Sequence, residues 1–243
     1  MQQEWISIAS HDGGPNGDHY DAYLALPPAG RGPGLLLLQE IFGVNRHIRA
    51  VAEQYALDGF VVLAPDVFWR EAPRVELGYA GAERERAMQL LAQADRSQLA
   101  ADLATSLAAL SARPECAGRV GALGYCMGGR FAACAAARYS ELAAIAAYCA
   151  TWMVSDRPDS AHLAVGRIAG EIYLACAEQD PYLPDDQIEE LRRRMVEGGV
   201  RHRIEIYPGT RHAFAFRDRD THQQAGEDRH WQRMIALFRR HLG

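Results

Sequence analysis

The chain has 243 residues, 49% of them hydrophobic, which suits one core of the kind an α/β domain builds in roughly 200–250 residues. Its 31 acidic and 26 basic residues are interspersed, leaving a net charge of -5 and no broad basic face for nucleic acid or an anionic membrane. A single domain over 1–243 is expected, with neither of those partners and no cue to oligomeric state. The start, Met1-Gln2-Gln3-Glu4-Trp5, lacks the basic-then-apolar pattern of a secretory signal, and the longest nearly apolar stretch, residues 142–154, is shorter than the roughly 20 residues that span a bilayer. A cytoplasmic location is the expectation. Five cysteines without C-x-x-C spacing fit reduced thiols better than a disulfide framework or a structural zinc site.

Along the chain, residues 5–10 and 20–26 read as a hairpin around the turn-forming His11-Asp12-Gly13-Gly14. His11 and His19 near Asp12 and Asp18 are read as a solvated hairpin loop rather than a metal site. The apolar runs 34–39, 60–65, 119–125, 143–150, 171–177 and 203–207 suit strands covered on both faces. Between them, Asn45 heads a helix carrying Ile48, Val51, Ala52, Tyr55 and Ala56 at helical spacing, with Gly59 at its end. One long helix is expected from about Arg84 to Leu110. A further helix is marked by Ile188, Leu191 and Met195, and a last one packs Trp231, Met234, Ile235, Phe238 and Leu242. Alternating strands and helices predict an α/β fold with a mostly parallel sheet of about eight strands and an antiparallel N-terminal edge.

The sharpest local signal is Gly124-Tyr125-Cys126-Met127-Gly128-Gly129, between an expected strand and a small-residue helix. A nucleophile at such a junction needs a strained turn, and the glycines on either side remove side chains that would collide there. The helix N-terminus beyond it favours both thiolate and oxyanion. The acid and the base should follow in that order, on loops at the carboxyl ends of later strands. Asp180 fits the acid, with Glu178 as competitor; Asp185 and Asp186 read as first-turn helix charges. His212 fits the base, whereas His202 precedes its strand and belongs at the opposite end.

At these residues the chain resembles the dienelactone hydrolase (carboxymethylenebutenolidase) family. The likeness is carried by Gln39-Glu40-Ile41-Phe42-Gly43-Val44-Asn45, Ala64-Pro65-Asp66, the Cys126 motif, Gln179-Asp180 and His212-Ala213-Phe214. It implies an α/β-hydrolase fold and a lactone or ester hydrolase using Cys126, His212 and Asp180, without cofactor or metal. It also implies backbone oxyanion donors at Ile41 and Met127, a thiol-contacting carboxylate at Glu40, and substrate contacts at Arg84, Phe42, Phe214 and Phe216. One departure stands out: where the family pairs a second arginine with that of Arg84, this chain has Phe216, and Ala213 replaces a serine beside the histidine. Arg217 is the nearest substitute. The competing reading is a non-catalytic small-molecule binder on the same fold, which a broken triad would mark; thiol redox chemistry at Cys126 would need a second thiol nearby.

Overall fold

The computed structural model describes residues 1–243, and the chain divides into two compact units, Met1–Val120 and Gly121–Gly243. The first contains β1 (Gln2–Gly14), β2 (Gly17–Leu26), β3 (Gly32–Leu38), α1 (Arg46–Leu57), β4 (Val61–Pro65), α2 (Gly81–Gln93) and α3 (Arg96–Ser111). Strand β5 (Cys116–Tyr125) runs from the first unit into the second. There follow α4 (Met127–Ala136), β6 (Leu142–Tyr148), β7 (Glu171–Gln179), α5 (Asp185–Glu197), β8 (His202–Arg211) and α6 (Gln224–Leu242). The eight strands form one sheet in the order β1-β2-β4-β3-β5-β6-β7-β8. β3/β4, β6/β7 and β7/β8 pair in parallel, and β1/β2 and β2/β4 antiparallel, so the mostly parallel sheet with an antiparallel N-terminal edge matches the expectation.

In the first unit, Leu35 to Leu38 of β3 are all fully buried, the continuous apolar run of a strand covered on both faces. Helix α1 starts where Asn45 Oδ1 accepts the Ile48 amide at 3.2 Å, and it buries the five apolar residues expected. Two expectations are corrected. The long helix is broken into α2 and α3, because the Asp95 carboxylate accepts the amides of Ser97 and Gln98 and begins a new helix there. The hairpin continues through His11-Asp12-Gly13-Gly14, which belongs to β1, and turns at Pro15-Asn16 with a register shift between Ala9 and Gly14.

A buried ion pair holds that extended hairpin end. Arg70 reaches both carboxylate oxygens of Asp102 on α3, at 3.0 and 2.8 Å, while also donating to Asp12 and the Gly13 carbonyl. Trp69 Nε1 donates to the same Asp102 carboxylate at 2.8 Å, and Tyr20 stacks on Trp69. With only 7% and 4% of the Arg70 and Asp102 side chains exposed, loss of Arg70 leaves a buried carboxylate without its ion pair, and loss of Asp102 leaves the Arg70 guanidinium with only the exposed Asp12 carboxylate.

In the second unit, α4 runs Met127–Ala136 as a small-residue helix, α5 buries Ile188, Leu191 and Met195, and α6 buries Met234, Ile235, Phe238 and Leu242. No helix is long and apolar enough to cross a membrane. In urea melts, Asp102→Ala should cost about 3–5 kcal/mol. A paired Arg70→Met/Asp102→Leu variant should recover most of it, because both desolvated charges are then removed.

Candidate active site

Cys126 stands alone between β5 and α4 with φ 54 and ψ -115, a conformation that costs a non-glycine residue roughly 1–3 kcal/mol. Close backbone approach makes the turn possible: a Cβ on Gly124 would lie 2.0 Å from the Gly128 carbonyl oxygen, and one on Gly129 would meet the Ala150 Cβ at 2.9 Å. Hydrogen bonds from the neighbouring strand hold the residue there. Its amide donates to the Tyr148 carbonyl at 2.9 Å, and its carbonyl accepts from Thr151 at 3.2 Å and Gly129 at 3.1 Å. Met127, buried, is the first residue of α4, so its amide is among those a helix cannot satisfy internally.

Asp180, one residue beyond β7, and His212, one residue beyond β8, meet with His212 Nδ1 at 2.8 Å from Asp180 Oδ2. The Tyr182 amide occupies the other carboxylate oxygen at 3.0 Å. The Cys126 side chain lies close enough to act on the His212 ring, so Cys126, His212 and Asp180 come together at one place. Burial pulls the ring toward the neutral form, but the hydrogen bonds and negative charges of Asp180 and Cys126 outweigh it and raise its pKa to about 10. The competitors fall away on geometry. Glu178 is exposed and accepts the Gly209 amide at 2.9 Å, Asp185 and Asp186 lie in the first turn of α5, and His202 pairs in register with Ile172 at the other end of the strands.

Three further groups gather here that composition and motif did not flag. The Thr151 hydroxyl lies 3.9 Å from Cys126 Sγ. Tyr148, whose carbonyl holds the Cys126 amide, also accepts the Ala215 amide on its hydroxyl at 2.5 Å and so grips the segment behind His212. Cys149 is buried beside the Tyr148 hydroxyl and the Ala213 backbone. Ala213 has φ 66, so this segment needs such anchoring. The ligand-type atoms of Cys149, Asp180 and His212 lie within 4.8 Å of one another, a donor set that a metal ion could use. Binding would compete with the existing Asp180-His212 hydrogen bond and would require Cys149 to ionise, which burial and the Asp180 charge strongly oppose.

Phe214 and Phe216, expected to contact substrate, are instead core residues at 0% and 1% exposure. Both pack edge-on against Tyr148, and Phe216 also against Tyr125. Arg217 points away, 66% exposed and paired with Glu227 at 2.8 Å, so it does not replace the missing arginine. In the first unit, Glu40 and Ile41 are buried just beyond β3, the Phe42 ring meets Tyr79 edge-on at 4.8 Å, and Arg84 is exposed in the first turn of α2.

A folded-state pKa of about 10 against an ordinary 6.5 means the His212 pairing stabilises fully below about pH 6.5 and is lost as pH rises through 10. Urea melts of the native chain and His212→Gln should therefore differ most near pH 6 and converge toward pH 10.

A family model for the dienelactone hydrolase family matches residues 20–242. A Synechocystis sp. protein named "Putative carboxymethylenebutenolidase" is 30% identical over 225 residues, covering 90% of this chain and 91% of its own length. The carboxymethylenebutenolidase of Pseudomonas sp. (strain P51) is 38% identical over 133 residues, 54% of each chain. Among solved structures, a "Putative Dienelactone Hydrolase" from Klebsiella pneumoniae subsp. pneumoniae aligns with TM-score 0.84 and 25% identity, over 98% of this chain and 99% of its own. The family-model match over residues 20–242 and the structural alignment make this chain a member of the dienelactone hydrolase family, built on the α/β-hydrolase fold.

Proposed function

We propose that the protein is a cysteine hydrolase of carboxylic esters or lactones, with Cys126 as nucleophile, His212 as acid and base, and Asp180 as orienter. The His212–Asp180 hydrogen bond beside a thiol on a strained elbow carries this reading. Family membership supports the reaction class.

The two steps follow from what sets the charge on His212. Once Cys126 has given its proton to the ring beside it, thiolate and imidazolium form an ion pair. Thiolate attack on the carbonyl carbon places negative charge on its oxygen, where the Met127 amide at the head of α4 is one donor. As the tetrahedral species collapses, the ring proton passes to the departing alkoxide and a thioester remains. The thiolate charge is then gone, and with it the Cys126 contributions that raised the ring's pKa; burial now favours the neutral form. A neutral ring can take a proton from water as that water attacks the thioester, releasing acid and restoring the thiolate. The roles that family resemblance suggests in the first unit are an amide donor at Ile41, a thiol-quieting carboxylate at Glu40 and substrate contacts at Phe42 and Arg84. Each is open to test by substitution.

Iodoacetamide at neutral pH, followed by mass mapping, should label Cys126 before Cys149 and Cys176. Burial holds those two protonated and pushes Cys176 up to about 12. Cys126→Ala should abolish ester and lactone hydrolysis, whereas full activity in that variant would sink the proposal. Asp180→Asn should lower kcat by roughly 10²–10⁴-fold, since the ring loses both its charge partner and its imposed tautomer.

A further inference from the structure

We propose that Trp152 and Tyr182 form an aromatic recognition wall beside His212, selecting esters or lactones that carry a planar aryl group. The inference rests on the hydrolase reading above and adds its substrate class.

The backbone leads from the thiol to this wall. Thr151 donates its amide to the Cys126 carbonyl at 3.2 Å, and the next residue, Trp152, donates to the Tyr182 carbonyl at 3.3 Å. Trp152 has φ 51, a left-handed conformation in which a bulky side chain is an outlier and glycine would be free of strain. Its neighbours Thr151 and Met153 are buried, at 1% and 0% exposure, while the indole between them stays partly exposed. Tyr182 repeats this on the facing loop, partly exposed next to buried Leu183. The rings form a continuous series: Trp152 meets Tyr182 edge-on at 5.6 Å, and Tyr182 meets the His212 imidazole edge-on at 4.9 Å. Arg130 Cζ lies 5.7 Å from the Trp152 ring centroid and braces the indole.

Two partly exposed aromatic rings in line with the imidazole offer apolar faces and edges, and the Arg130 cation behind Trp152 is itself buried. The departures elsewhere agree, because Phe216 is buried and Arg217 is committed to Glu227, so neither position offers a cation to a substrate carboxylate. A flat aryl group can gain both burial and edge-to-face contact here, whereas a short alkyl group gains little.

The test compares kcat/KM for matched esters, phenyl acetate with ethyl acetate and ethyl benzoate with ethyl butyrate, in the native enzyme, Trp152→Ala, Trp152→Phe, Tyr182→Ala and Tyr182→Phe. Measuring the change on substitution removes the intrinsic reactivity of each ester. Trp152→Ala and Tyr182→Ala should lose on the order of tenfold on the aryl esters, mainly through KM, and less than threefold on the alkyl esters. The phenylalanine variants should retain the aryl preference. Equal losses on aryl and alkyl esters, or none on either, would overturn the proposal. If an alanine variant does not fold, Trp152→Leu and Tyr182→Leu supply the same comparison. Cys126→Ala separates the levels: activity surviving there defeats the hydrolase reading, whereas an inactive Cys126→Ala alongside unselective wall variants defeats the aromatic wall alone.

Discussion

The site depends first on a steric constraint, the left-handed backbone at Cys126. A residue bearing a side chain can be held at φ 54 only if its surroundings over-determine it. Here the surroundings are the near-contact of Gly124 with Gly128, which admits no Cβ, and three backbone hydrogen bonds fixing Cys126 against Tyr148, Thr151 and Gly129. The same turn puts the thiol at the head of α4, where helix amides lack internal partners.

Electrostatics then acts on that geometry. Asp180 and His212 emerge one residue past the ends of paired strands β7 and β8, so strand register sets their 2.8 Å contact. Burial alone would leave His212 neutral, as it does His230 on α6, whose pKa burial pushes down to about 3. The partners make the difference, since His212 has Asp180 on one side and Cys126 on the other. Nearby thiols are driven the opposite way: Cys149 and Cys176, enclosed and facing the Asp180 charge, are held protonated. Cys126 and Cys149, each one residue past a strand, and Cys176 within β7 thus share a residue type but sit in different surroundings.

Much of this was legible in the sequence because it is encoded locally. Apolar runs and helical periodicity located the strands and helices, and Gly-x-Cys-x-Gly-Gly marked the elbow, because only residues without side chains tolerate such proximity. Less legible were features in which distant or weak local signals compete. A periodic pattern ran through residues 84–110, yet the Asp95 side chain capped a new helix and split it. His11-Asp12-Gly13-Gly14 has turn composition, yet Arg70 binds Asp12 and the Gly13 carbonyl, and the hairpin turns later.

What the sequence by itself determined is the order of elements, the elbow, and the Cys126, Asp180 and His212 candidates in chain order, all properties of short segments or of their succession. Tertiary structure alone decided which acid faces the histidine, how Tyr148 braces the segment behind it, and that Phe214 and Phe216 belong to the core. It also decided that Trp152 and Tyr182, 30 residues apart in the chain, stand in line with the imidazole. The physical reason is that a side chain's charge state and exposure are set by neighbours brought from other strands, and no local pattern records which neighbours those are.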